Sequence, residues 1–193
     1  MAHKVNRQAL IVTKATELFL AHGYNATSVR QIAEAAGCTD AALYYHFREG
    51  KRALFQAVIE SNLPDFYAIL EPCRNADSLA SLIVSIGKDQ DLMVPLWAKI
   101  GWLVGEFPHL SLEEKHLVHQ AYLAFQIELT RLIQPYVADE TQADQIAWLV
   151  ICALFGYAQT FVHFEMKDIV EVSFDDFKEN LARFYALTLL NKG

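Results

Sequence analysis

Apolar residues return at three- and four-residue intervals along most of this chain, and no convincing strand pattern interrupts them. Leu10, Ile11, Ala15, Leu18 and Phe19 share one face of a segment spanning residues 5–22, and Gly23 supplies its stop. Ser28 and Gln31 have capping-box spacing ahead of Val29, Ile32, Ala33 and Ala36, which predicts a short helix ending at Gly37. Thr39 is placed to cap a third helix over residues 40–47, and Gly50 marks the break before a fourth, Lys51–Asn62. Beyond Pro64 the pattern predicts helices over residues 78–88, 92–106, 112–136, 140–166 and 174–190. Their boundaries follow Pro72, Pro108 and Pro135, the Ser111–Glu114 capping box, and Asp139 and Ser173 as caps. Pro95 is expected to kink the sixth helix or move its start toward Val94. The expected fold is all-α, with a three-helix N-terminal helix-turn-helix domain over residues 1–50. A larger helical domain is expected over residues 51–193.

Composition supports a packed protein: 53% of the 193 residues are hydrophobic and 20% charged, with 8 Gly and 5 Pro. The net charge of −7 at first argues against a nucleic-acid partner. Its distribution reverses that argument. Residues 1–52 hold seven Lys or Arg against four Asp or Glu, a net of +3, while residues 53–193 hold nine against nineteen, a net of −10. A basic small domain on an acidic larger one suits a DNA reader with a separate sensing body. Cys38, Cys73 and Cys152 form no CxxC pair and are expected to stay reduced. No secretory signal is evident, so a cytoplasmic location is expected. Residues 146–164 carry no Asp, Glu, Lys or Arg, but Gln159, Thr160 and His163 interrupt the run. A helix buried on two sides is expected there, with no membrane partner.

The run Gln31–Phe47 places Ala33 where two short helices must approach closely and Gly37 where a tight turn needs a positive φ. Leu43 and Phe47, four apart, face inward, which turns Ala41 and Tyr45 outward with Asp40, Ala42, Tyr44 and His46 on the flanks. The two tyrosines and His46 can donate to phosphate or base edges, and Ala41 or Ala42 can lie against a thymine methyl. Asp40 either complements the helix dipole or accepts from cytosine. Ordinary core packing of both tyrosines would reverse the pattern set by Leu43 and Phe47.

Gly23-Tyr24, Thr27-Ser28, Ile32-Ala33, Ala36-Gly37 and Leu43-Tyr44-Tyr45-His46-Phe47 followed by a lysine resemble the signature of the tetracycline-repressor (TetR) family. Ile11, Ala15 and Phe19 also fit, so the resemblance covers roughly residues 7–60. It implies a transcriptional regulator, usually a repressor, whose recognition helix spans Thr39 to His46. Tyr44, His46 and Lys51 would then meet phosphates, and Ser28 and Arg30 would touch the backbone from the second helix. The family usually places two residues between the phenylalanine and the lysine, whereas Arg48, Glu49 and Gly50 stand here. Arg48 or Arg52 are therefore alternatives to Lys51, and Gly50 is expected to offer a free N–H to a phosphate. The resemblance further implies a homodimer paired through the last two helices, reading a pseudo-palindromic operator in double-stranded DNA.

In the acidic part, Trp97, Trp102, Phe107, Tyr122, Phe125, Trp148 and Phe155 are spread over central helices, with His109, Cys152 and Gln159 as embedded polar groups. That composition suits an apolar effector cavity, for which Trp102, Phe107, His109, Tyr122, Phe125, Trp148, Cys152 and Phe155 are the candidates. Effector binding there would shift the spacing of the two readers through the fourth helix. His109, His116, His119 and His163 raise a metal site, but no cysteine or carboxylate completes a ligand shell, so no metal or cofactor is expected. An enzyme is disfavoured by the lack of a nucleophile motif, a glycine-rich phosphate loop and an HExxH pair.

Overall fold

The structure, a computed structural model, describes residues 6–62 and 66–190. Among the described residues ten α-helices follow one another: α1 Arg7–His22, α2 Val29–Ala35, α3 Asp40–His46, α4 Lys51–Asn62, α5 Phe66–Leu70, α6 Leu79–Ser85, α7 Gln90–Glu106, α8 Leu112–Ile133, α9 Glu140–Tyr157 and α10 Phe174–Leu190. No strand occurs among the described residues. The chain divides into two compact units, Met1–Leu63 with Ala98–Val118, and Pro64–Trp97 with His119–Gly193. The division follows packing rather than chain order, since the stretch 98–118 lies with the first unit instead of the second.

The first unit is built on α1 to α4. Ile11, Ala15 and Phe19, each four apart on α1, are fully buried against Ile32, Ala33, Leu43, Phe47, Leu54 and Phe55. Leu110 closes this core, with Trp102, Leu103 and Phe107 packed on its edge. The expected caps are present. Asn6 accepts from the Ala9 amide at 3.4 Å, Ser28 and Gln31 form a reciprocal capping box, and Thr39 accepts from Ala42 at 3.2 Å. Gly37 adopts φ 62°, which an L side chain disfavours and the tight α2–α3 turn demands. Val5, where the first helix is expected to begin, lies outside the described residues.

In the second unit α6 packs along α10, and a fully buried Lys178 ties them together. Its ammonium donates to the carbonyls of Val84 at 3.1 Å and Ile86 at 3.2 Å, pairs with Asp175 at 3.1 Å, and lies 4.7 Å from the Phe174 ring centre. The last carbonyls of α6, which have no helical partner, are thereby satisfied by a side chain 92 and 94 residues away. Leu129, Ile133, Ala143, Ala147, Val150 and Ile151 fill the α8–α9 part of this core. Tyr136 donates to the Ala76 carbonyl at 2.7 Å.

Several helix bounds differ from the sequence reading. The third helix stops at His46, the fifth expected helix spans only Leu79–Ser85, and α8 gives way at Gln134–Tyr136 to a 3-10 turn. Pro95 does not displace the start of α7, which begins at Gln90. Pro95 lacks the N–H that would donate to the Asp91 carbonyl, and both residues are exposed, where water is able to take its place. The short α5, followed by a 3-10 turn over Glu71–Asn75, carries no periodic signal long enough to predict. The largest departure is in the helix expected over residues 140–166. α9 ends at Tyr157, Ala158–His163 winds as a π-turn, and Glu165 takes φ 56°.

Candidate nucleic-acid interface

α3 is a seven-residue helix held by two side chains: Leu43 is fully buried and Phe47, just past its end, is 4% exposed. That anchorage fixes which way the remaining residues point. Tyr45 is 81% exposed and Tyr44 48%, while Thr39, Asp40 and Ala41 are exposed and Ala42 and His46 half-buried. The rings of Tyr45 and His46 meet edge to face at 5.3 Å, so one orients the other. Among the described residues neither tyrosine hydroxyl has a protein partner, which leaves both free to donate to a phosphate or base edge. Small residues stand at the N-terminal end of this face of α3 and aromatic donors at its C-terminal end.

Flanking groups are less free than their sequence positions suggest. The Ser28 hydroxyl is committed to its capping box, donating to Gln31 Oε1 at 2.8 Å. Arg30 pairs with Glu34 at 2.9 Å, and this hydrogen bond holds its pKa above the usual arginine value. The pair is exposed on both sides, so exchange for a phosphate costs little. Lys51 leans inward: its ammonium donates to the Asn25 carbonyl at 3.4 Å and lies 4.2 Å from the Tyr24 ring centre. Burial there lowers its pKa. Arg48 and Arg52 are exposed. The expected free N–H of Gly50 is not found, because that amide donates to the Phe47 carbonyl at 2.9 Å and closes the turn before α4. Gly50 has φ 65°, and a Cβ there would stand 2.9 Å from Tyr44 Cε1. This glycine therefore sets the position of the Tyr44 ring.

Two supports escaped the sequence reading. Arg7 Nη1 donates to the Gly37 carbonyl at 3.3 Å, bracing the turn of the motif from α1. Glu106 accepts from the Tyr24 amide at 3.0 Å across 82 residues of sequence, and the Tyr24 ring packs on Phe19 and Phe55 at 5.5 and 4.3 Å. Burial, then the Glu114 charge, raises the Tyr24 pKa. Neither contact has a local spacing that announces it.

Residues 11–58 match the model of the family described as bacterial regulatory proteins, tetR family. This stretch is a tetR-family domain. This family domain spans most of α1, the whole of α2 and α3, and most of α4, and it is the domain of DNA-binding regulators. No curated protein matches the chain. Among solved structures the chain is similar to the superantigen PfiT, with a TM-score of 0.73 at 16% identity over 95% of this chain and 97% of that one. It is also similar to a TerR/AcrR-family transcriptional regulator from Aquifex aeolicus, with a TM-score of 0.61 at 18% identity over 95% and 99% of the chains. PfmR, a TetR-family regulator from Thermus thermophilus, gives 0.61 at 18% identity over 92% and 95%. At these identities the likeness establishes the fold.

The candidate effector residues are divided between the two units. Trp102, Phe107 and His109 belong to the first, where Trp102 meets Phe55 edge on at 5.8 Å and Phe107 packs on the same core. Tyr122, Phe125, Trp148, Cys152 and Phe155 belong to the second, with the Tyr122 and Trp148 rings stacked at 6.2 Å. His109 and Cys152 are not embedded but exposed: His109 ends a surface 3-10 turn, and Cys152 lies on the outer face of α9. Exposed too is Leu149, and only 33% of the apolar window in Glu140–His163 is buried, so the helix expected to be covered on two sides is covered on one. His116 and His119 are exposed, and no metal-binding group of three or more occurs among the described residues.

Sequence reasoning passed over a ring cluster in the second unit. Trp97, Phe161, Phe174 and Phe177 gather around Tyr157 at 4.9 to 6.0 Å between ring centres, and the Tyr157 hydroxyl donates to the Val172 carbonyl at 3.1 Å. These rings come from three separate helical segments, so only the tertiary fold assembles them.

Proposed function

We propose that this protein is a repressor that binds a pseudo-palindromic operator as a homodimer and is released by a small, mostly apolar effector. The observation that carries the reading is the exposed Tyr44–Tyr45–His46 face of α3, anchored by Leu43 and Phe47 inside a tetR-family domain. Thr39, Asp40, Ala41 and Ala42 supply the groove-facing start of that helix. Tyr44, His46, Arg30, Ser28 and Lys51, with Arg48 and Arg52, supply backbone contacts. Two such helices about a twofold axis would enter successive major grooves about 34 Å apart.

A homodimer is supported by what one copy leaves uncovered. Leu149, Cys152 and Gly156 are exposed along α9, and Phe184 is 62% exposed on α10. A second copy laid on α9 and α10 buries this apolar strip. The effector reading is supported by the aromatic content of the second domain, from Tyr122, Phe125, Trp148 and Phe155, with Trp102 and Phe107 at the edge of the reading domain. A cytoplasmic location follows from a DNA target. Selection of bound duplexes from a random pool, followed by sedimentation of the complex, tests the reading. Enrichment of an inverted repeat with two chains per duplex is the expected result. Enrichment of no sequence, or a single chain on an asymmetric site, overturns it.

A further inference from the structure

Within the second unit the last turns of α8 and the first turns of α9 border a cleft of about 290 Å³. Its lining is polar but for one side chain, Ile127, which is 63% exposed. Gln126 fixes what the cleft offers. It is 6% exposed, and its Nε2 donates to Thr130 Oγ1 at 2.9 Å and to Asp144 Oδ1. A carboxylate only accepts, so the amide has one possible orientation and both of its N–H groups are spent. What remains is Oε1, an acceptor with no partner among the described residues, on a side chain that lines the cleft. The charges point the same way. Glu140 and Asp144 stand four apart on α9, and neither pairs with a Lys or Arg among the described residues. Arg131 also lines the cleft, but its guanidinium is turned to Glu128, to which it donates at 2.8 and 2.9 Å. The α8 wall is the C-terminal end of its helix, where the dipole favours positive charge. The net charge of −10 over residues 53–193 raises the local concentration of cations. A bare metal ion suits this lining poorly. No group of three or more His, Cys, Asp or Glu that could hold one occurs among the described residues, whereas the Ile127 wall suits an alkyl chain.

We propose that this cleft is a binding site for a short linear aliphatic diamine in its dicationic form. One ammonium donates to the half-buried Asp144 and to Gln126 Oε1, the other pairs with the exposed Glu140, and the methylene chain lies along Ile127. Side chains four apart on a helix stand about 5–6 Å apart at Cβ, a span that a four-carbon diamine bridges. A monoamine meets only one of the two carboxylates. The site makes no use of α3 or of the aromatic effector candidates, so it stands or falls apart from the operator and effector readings.

The test titrates the full chain, free of DNA and at fixed low salt, with putrescine, butylamine and magnesium chloride while following the side-chain amide of Gln126 by NMR. Putrescine is expected to shift that amide and to bind about fivefold tighter than butylamine, which lacks the outer ammonium, as an exposed ion pair allows. Glu140→Gln is expected to bring putrescine down to the affinity of butylamine. Asp144→Asn is expected to abolish the amide shift with both amines. Equal binding of the two amines by the unaltered chain, or an amide unmoved through the millimolar range of putrescine, overturns the proposal. So does an equal shift with magnesium at the same concentration, which would assign the carboxylates to inorganic cations. The comparison of ligands uses the unaltered chain, so it decides even where a variant does not fold.

Discussion

Around α3 the anchoring side chains are apolar and the exposed ones carry polar ends, whereas the stretch of α9, its π-turn and α10 in the second unit sets apolar side chains in solvent and polar atoms inside. Around α3 the core residues Leu43 and Phe47 are covered, and the exposed groups Tyr44, Tyr45 and Asp40 are ones that water satisfies in the free protein. In the second unit Leu149 and Phe184 stand in solvent, while Gln159 and His163 hold buried polar atoms that have no partner among the described residues. The first surface is complete and waits for a polyanion. The second is incomplete in two ways, one apolar and external, the other polar and internal.

The sharpest way to break this comparison is to remove a buried polar group that is satisfied and one that is not. Lys178→Met deprives the Val84 and Ile86 carbonyls of their donor, and a loss of about 1–3 kcal/mol is expected in urea denaturation. Gln159→Leu removes an atom with no partner among the described residues and is expected to leave stability unchanged or slightly raised. Equal losses would show that Gln159 is satisfied after all. Next in size is Gly50→Ala, which puts a Cβ at φ 65° and against Tyr44. A loss of roughly 1–2 kcal/mol in thermal denaturation is expected from the backbone alone, together with weaker operator binding as the Tyr44 ring is displaced. Undiminished binding would dissociate Gly50 from the reading surface. The smallest effect concerns Glu128, whose pKa is held down first by its hydrogen bond to Arg131 and then by the charges of Arg131 and Arg74. A depressed carboxylate favours the folded state fully above the usual carboxylate range and loses that contribution as pH falls through it. Less than about 1 kcal/mol is expected for this surface pair, and Glu128→Gln should flatten that part of the pH–stability curve.

The same contrast explains what was legible in the sequence. Ser28 with Gln31, Thr39, Gly37, Leu43 and Phe47 act over three to ten residues, so their spacing carries the helix-turn-helix almost whole. The division of the chain is less local, since the segment holding Trp102, Glu106 and Leu110 joins the first core from far along the sequence. A π-turn is invisible to periodicity because apolar residues from Phe155 to Phe164 continue at spacings that suit α-winding equally well. The extra residue before Lys51 was legible as a departure, but its consequence was not. Only the fold shows that Lys51 turns toward Tyr24 and that Gly50 spends its amide on Phe47.

The central claim is that the Tyr45 side chain exists for DNA and not for the fold. Anisotropy of a labelled, selected operator duplex at fixed salt, paired with thermal denaturation of the same samples, measures both for Tyr45→Ala. At 81% exposure the substitution is expected to change stability by less than about 0.5 kcal/mol while weakening specific binding at least tenfold. Binding that survives intact, or a loss of stability that matches the loss of affinity, would contradict it.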